Sequence, residues 1–124
     1  MGDNSWDEII AKYQYYKKQE NWEFLADLEL LVQHILQNRD VSAVHPFASH
    51  VTMCLTKYKT YDEWHDKPFI SIDSTHTGKY KFTLTEPLED GEVYRARSES
   101  IVCSFDKTLD IYDELIEKLT QLEA

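Results

Sequence analysis

Four of the histidines, His45, His50, His65 and His76, fall in segments that read as loops. A zinc or non-haem iron site needs three or four converging ligands, usually announced by His-x-His or His-x-x-x-His pairs. Neither pair occurs here, so the expectation is solvated loop histidines, with no metal and no cofactor. Nucleophilic chemistry has little to start from. Ser49-His50 and Ser71 lack an elbow of the Gly-x-Ser-x-Gly kind. Cys54 and Cys103 stand among Met53, Leu55 and Val102 in predicted strands, whereas a reactive thiol wants an electropositive, partly open setting. The carboxylate pairs Glu63/Asp66 and Glu89/Asp90 lie on polar stretches and read as solvated charge. Gly2, Gly78 and Gly91 are too scattered for a phosphate-cradling loop. No catalytic residue is assigned.

Two other groups can carry recognition. Tyr13, Tyr15 and Tyr16 span more than one face of a helix, so they cannot all be core. Tyr58, Tyr61 and Trp64 crowd a polar connection. Exposed Tyr and Trp bury large areas at low entropic cost and are typical of binding surfaces, and the bland alternative is that they fold back over the core edge. Six bases come in alternating pairs: Lys57/Lys59, Lys79/Lys81 and Arg95/Arg97. Residues i and i+2 of a strand share a side. If the strands pair in chain order, two or three of these pairs line one exposed sheet face and accept anionic groups. The bland alternative is a solvated face neutralised by Asp73, Glu86, Glu92 and Glu99. The candidate partner-binding residues are therefore Tyr15, Tyr58, Tyr61, Trp64, Lys79, Lys81, Arg95 and Arg97.

The elements that position these residues follow from periodicity. Ser5-Trp6-Asp7-Glu8 fits a capping box and opens a first helix, with Trp6, Ile9, Ile10, Tyr13 and Tyr16 on one face. A second helix starts near Asn21. Phe24, Leu25, Leu28, Leu31, Val32, Ile35 and Leu36 form its stripe, and Asp27, Glu29, Gln33 and Gln37 fall off it. After a loop around His45-Pro46 the period becomes two, which predicts strands over 50–58, 68–73 and 79–86. Thr60-Tyr61-Asp62-Glu63 can cap one helical turn, and Ser74 to Gly78 is turn chemistry. In 92–105 the apolar parity flips, since Tyr94 and Ala96 are even and Ile101, Cys103 and Phe105 are odd. A bulge near Arg97–Ser100, or two separate strands, accounts for the flip. Leu109, Tyr112, Leu115, Ile116, Leu119 and Leu122 form the stripe of a last helix starting at Asp106 or Thr108.

The expected fold is one two-layer α+β domain over 1–124. Its sheet is antiparallel, with four strands or, if 92–105 divides, five. Two N-terminal helices and one C-terminal helix cover its apolar face, and its other face is open.

Composition limits the function classes. The chain has 124 residues with only three Gly and three Pro, which excludes long flexible linkers. No apolar run suits a membrane span, and the N-terminus does not resemble a secretory signal, so cytoplasmic location and two reduced thiols are expected. The net charge is −10. Residues 1–56 hold −4, residues 57–97 hold −1 and residues 98–124 hold −5. Acid belongs to the helices and cations to the strands. Such a chain is repelled by nucleic acid, so no direct nucleic-acid binding is expected. Three functions fit. One is a non-catalytic protein-binding domain with a protein partner, comparable in size and charge with immunity, antitoxin or secretion-chaperone proteins; a homodimer is compatible with it. Another is a nucleic-acid mimic using Asp110, Asp113, Glu114 and Glu117. The third is a ligand binder or enzyme with a pocket near His50, Tyr80, Tyr94 and Tyr112.

Overall fold

The computed structural model describes residues 6–20, 23–49, 52–58, 67–75, 79–88 and 95–123. Helix α1 runs Trp6–Glu20, with Asp7 and Glu8 in its first turn where the helix dipole favours carboxylates. Ser5 of the expected capping box lies outside the described residues. Ile9 and Tyr13 are buried, and the Trp6 indole Nε1 donates to the Val44 carbonyl at 3.3 Å. Helix α2 spans Glu23–Asn38. Its stripe buries Leu28, Leu31, Val32 and Ile35 completely. At its end Asn38 Nδ2 donates to the His34 carbonyl at 2.8 Å, and the Arg39 amide donates to the Ile35 carbonyl, one of the acceptors the helix leaves open, at 2.8 Å.

Glu29 departs from the expectation. It was placed on the solvent side, yet it is buried. The reason is the neighbouring helix: Gln14 Nε2 of α1 donates to Glu29 Oε2 at 2.7 Å, and Gln33 Nε2 at 3.3 Å. Hydrogen bonds to the charged group are what let it leave water.

Five antiparallel strands follow in meander order: β1 His45–Ser49, β2 Thr52–Thr56, β3 Phe69–Ser74, β4 Lys79–Leu88 and β5 Arg95–Ser104. The α+β class and the five-stranded option are observed, but the fifth strand is not where it was sought. The supposed loop at His45-Pro46 is β1, and 50–58 yields the shorter β2. Pro46 is tolerated because β1 is an edge strand that needs no ladder donor on its outer side. His45 is thus a strand residue, while His50, His65 and His76 lie outside the described residues, as do all of Thr60–Glu63 and most of Ser74–Gly78. Conversely, β5 neither bulges nor divides. Its register against β4 runs unbroken from Lys79↔Ser104 to Leu88↔Arg95.

All three helices pack on one sheet face. Met53, Leu55, Ile70, Ile72, Tyr80, Phe82 and Leu84 share that face and join Ile9, Tyr13, Leu28, Leu31, Val32, Ile35, Tyr112, Leu115 and Leu119 in one core. Each large apolar side chain so buried contributes about 1.5–3 kcal/mol. Helix α3, Thr108–Glu123, follows a 3-10 turn at Phe105–Lys107. The buried Thr108 hydroxyl donates to the Phe105 carbonyl at 2.7 Å and fixes that corner. Arg39, just beyond α2, grips Asp113 of α3 through two parallel bonds of 2.7 and 2.8 Å. The Tyr80 hydroxyl donates to the Asp27 carbonyl at 2.7 Å and ties β4 to α2.

The opposite sheet face is open only in part. At β1 and β2 it carries Phe47, Cys54 and Thr56, all buried. At β4 and β5 it carries the exposed Lys79, Lys81, Ser98, Ser100 and Val102. The expected open face is therefore the β4–β5 half.

Candidate partner-binding surface

The register decides which of the proposed binding residues belong together. Lys79 and Lys81 are exposed on the open face, opposite Ser104 and Val102 of β5. Positions 95 and 97 pair with Leu88 and Glu86 and have the parity of Ile101 and Cys103, which contact the core. Arg95 and Arg97 thus hold register positions on the helix side. Their side chains lie outside the described residues. The expected row of strand cations on one face is corrected to Lys79 and Lys81. The apolar character of Tyr94 and Ala96 suggests an inward face at even positions, but the unbroken register with β4 gives the helix side to the odd ones.

The other candidates are dispersed. Tyr15 is 61% exposed on the outer side of α1. Tyr58 follows β2 and is half-buried; its amide donates to Thr56 Oγ1 and its carbonyl accepts from the same hydroxyl. Tyr61 and Trp64 lie outside the described residues. The pocket expected near Tyr80 and Tyr112 is packed core, since both are nearly inaccessible, and His50 and Tyr94 are outside the described residues. Asp110, Asp113, Glu114 and Glu117 are exposed along one side of α3, but Asp113 is held by Arg39.

Neither thiol sits in an activating setting. Burial, then the nearby Asp73, pushes the Cys54 thiol up to about 11. Burial, then Asp106, raises that of Cys103. Their strands lie three spacings apart, so the two are separated by more than about 14 Å, well beyond disulfide reach. Among the described residues no group of three or more His, Cys, Asp or Glu is placed to hold a metal ion.

What the strands do assemble is a long free margin. Strand β5 has ten residues and ends the sheet. Among the described residues nothing pairs with its outer side, and Ser98, Glu99 and Ser100 are exposed. It contains no Pro and no bulge, two of the devices that blunt an edge, while charged residues hold its helix-side positions 95, 97 and 99. The other edge, β1, is half as long and carries Pro46. Beside β5 the open face is lined by hydroxyls: Thr83 and Ser100 bond at 3.0 Å, Thr85 and Ser98 at 3.5 Å. Val102 adds an apolar contact, 54% exposed. On the helix side a cleft of about 520 Å³ adjoins β5, lined by Leu84, Glu86, Ser98, Glu99, Lys118, Gln121 and Leu122. Lys118 Nζ reaches Glu99 Oε1 across it at 2.8 Å. No sequence signal marks this margin, because strand order is not written in any local pattern. Among the described residues no helix is long and apolar enough to cross a membrane. Comparison of the chain with protein-family models, with curated proteins and with solved structures finds no match.

Proposed function

We propose that this chain is a non-catalytic protein-binding domain that takes an extended segment of its partner along the outer edge of β5. The observation that carries this reading is the ten-residue edge strand, free of proline and bulges and exposed at Ser98, Glu99, Ser100 and Val102, at the end of a sheet whose other edge is short and contains proline. Strand addition supplies affinity through main-chain hydrogen bonds and specificity through alternate side chains. On the open side the added strand meets Val102 and the Ser98 and Ser100 hydroxyls, with Lys79 and Lys81 one strand further in. On the helix side it meets Glu99 and the cleft against α3. The net charge of −10 disfavours nucleic acid as the partner. The two separated thiols support a reducing compartment, and a cytoplasmic location is part of the proposal.

The test is affinity capture from the source cell with the wild-type chain and with Ser100→Pro, which removes an edge amide while β4 keeps its own partner β3. A protein recovered by the wild type and lost with the proline variant supports the reading. A partner retained equally by both refutes the β5 edge, and no stoichiometric partner for the wild type refutes protein binding.

A further inference from the structure

Resting on that reading of the edge, we infer that the partner strand is β5 of a second copy, paired antiparallel about a two-fold axis at Ser98. The argument is one of register. In an antiparallel self-pair centred on residue k, residue i faces residue 2k − i of the other copy, and both lie on the same face of the joined sheet. Centring on Ser98 puts position 97 opposite position 99, so arginine faces glutamate twice, once on each side of the axis. Centring one residue earlier also gives two arginine–glutamate pairs, 95 with 99, but puts position 97, an arginine, opposite itself. Centring on Ile101 or Val102 leaves Glu99 opposite Cys103 or Phe105. Ser98 is the centre that pairs arginine with glutamate on both sides of the axis and opposes no two like charges; Arg95 then stands opposite Ile101. Charges on an edge strand ordinarily repel a second copy; here their order along the strand turns them into a matching pair.

The surroundings of Ser98 fit the same axis. Ser98 and Glu99 line the cleft against α3. A two-fold axis at Ser98 perpendicular to the sheet brings the two clefts side by side, with Leu122, 39% exposed, on the rim of each. Glu99 is half exposed beside Lys118, so it can serve an incoming arginine without leaving a buried charge. The joined sheet has ten strands, five from each copy.

The experiment is sedimentation equilibrium of the full chain at matched ionic strength for the wild type, R97E, E99R and R97E/E99R, with circular dichroism confirming the fold of each. The wild type dimerises with concentration. Each single variant replaces two attractive pairs with two repulsive ones and weakens the dimer at least about tenfold. The double variant restores the pairs and recovers the wild-type constant to within about threefold. A wild type that stays monomeric, or a double variant as weak as the two singles combined, overturns the inference. A second readout does not depend on charge. In a C103S background, S98C faces its own copy and links covalently under oxidised glutathione, whereas S100C, about 13 Å from its copy, does not. Equal crosslinking of both, or of neither, overturns the register. A monomeric wild type whose captured partner is nevertheless lost with Ser100→Pro retires the self-pair alone and keeps the edge as a binding site for another protein. Retention of that partner by the proline variant retires both.

Discussion

Tyr13→Phe should stabilise this protein. Tyr13 is fully inaccessible on α1, within the core formed with α2 and the sheet. Its hydroxyl has no hydrogen-bond partner among the described residues. Burial, with Cys54 and Asp73 nearby, raises its pKa, so at neutral pH it is a neutral hydroxyl that has given up its water and gained nothing. A buried hydroxyl left unsatisfied costs about 1–3 kcal/mol. Removing one oxygen leaves a void smaller than a methyl group, which returns part of that gain. The net expectation is a stabilisation of about 1 kcal/mol, or roughly 3–5 °C in Tm for a chain of this size. The assay is urea unfolding followed by circular dichroism, where the midpoint rises at unchanged slope. Because most core substitutions destabilise, the sign is the discriminating part. A loss of about 1 kcal/mol or more would refute the reasoning, by showing that the hydroxyl is hydrogen-bonded in solution.

Phe82→Ala should cost about 3–5 kcal/mol in the same assay, because Phe82 is fully buried on β4, its register partners being Ile72 and Ile101. Thr108→Val keeps the shape of a fully buried side chain but removes its hydroxyl donation to the Phe105 carbonyl, which retains the Thr108 amide, and should cost about 0.5–1.5 kcal/mol. Alkaline pH should unfold the chain. The Cys54 thiol is pushed up to about 11, from an ordinary value of 9.0, and the Tyr80 and Tyr112 hydroxyls to about 12, from 10.0, burial being the main cause in each. The folded state therefore keeps protons that the unfolded chain has lost. Stability from these groups is fully present below about pH 9 and falls progressively as pH rises toward about 12, so urea midpoints measured at about pH 8, 10 and 11 should decrease in that order. A midpoint that does not change over that range would show that these groups titrate normally in the fold.

Much of the layer structure is legible in the sequence. The stripes of α2 and α3 are wide and regular, and the residues they nominate, from Leu28 to Ile35 and from Tyr112 to Leu119, are core. What failed has physical causes. Pro46 is compatible with an edge strand only, and nothing short of the strand order marks β1 as an edge. Glu29 is polar beside an apolar stripe, and its partner Gln14 sits fifteen residues away on another helix. In β5 apolarity does not separate inward from outward positions. At the far end of that strand the helix-side positions are Glu99, Arg97 and Arg95, a polar run no hydrophobic pattern assigns to the core face. The acid and base division survives in a narrower form. The helices carry the acid, as on the exposed side of α3, but the strand cations divide between two faces by register, with Lys79 and Lys81 on the open one and positions 95 and 97 on the helix side. The binding margin itself was invisible. Its significance comes from being last in the sheet, which depends on every other strand pairing in order.

The most direct test of β5 as the binding edge is amide hydrogen exchange along the chain, compared between dilute protein and protein saturated with its partner strand, whether a second copy or the captured protein. The prediction is that the amides of 95–101 pointing away from β4, every second residue, exchange quickly when dilute and gain protection on association, while the exposed positions around Tyr15 on α1 are unchanged. Protection gained on the outer sides of the helices, with none in β5, would contradict the account.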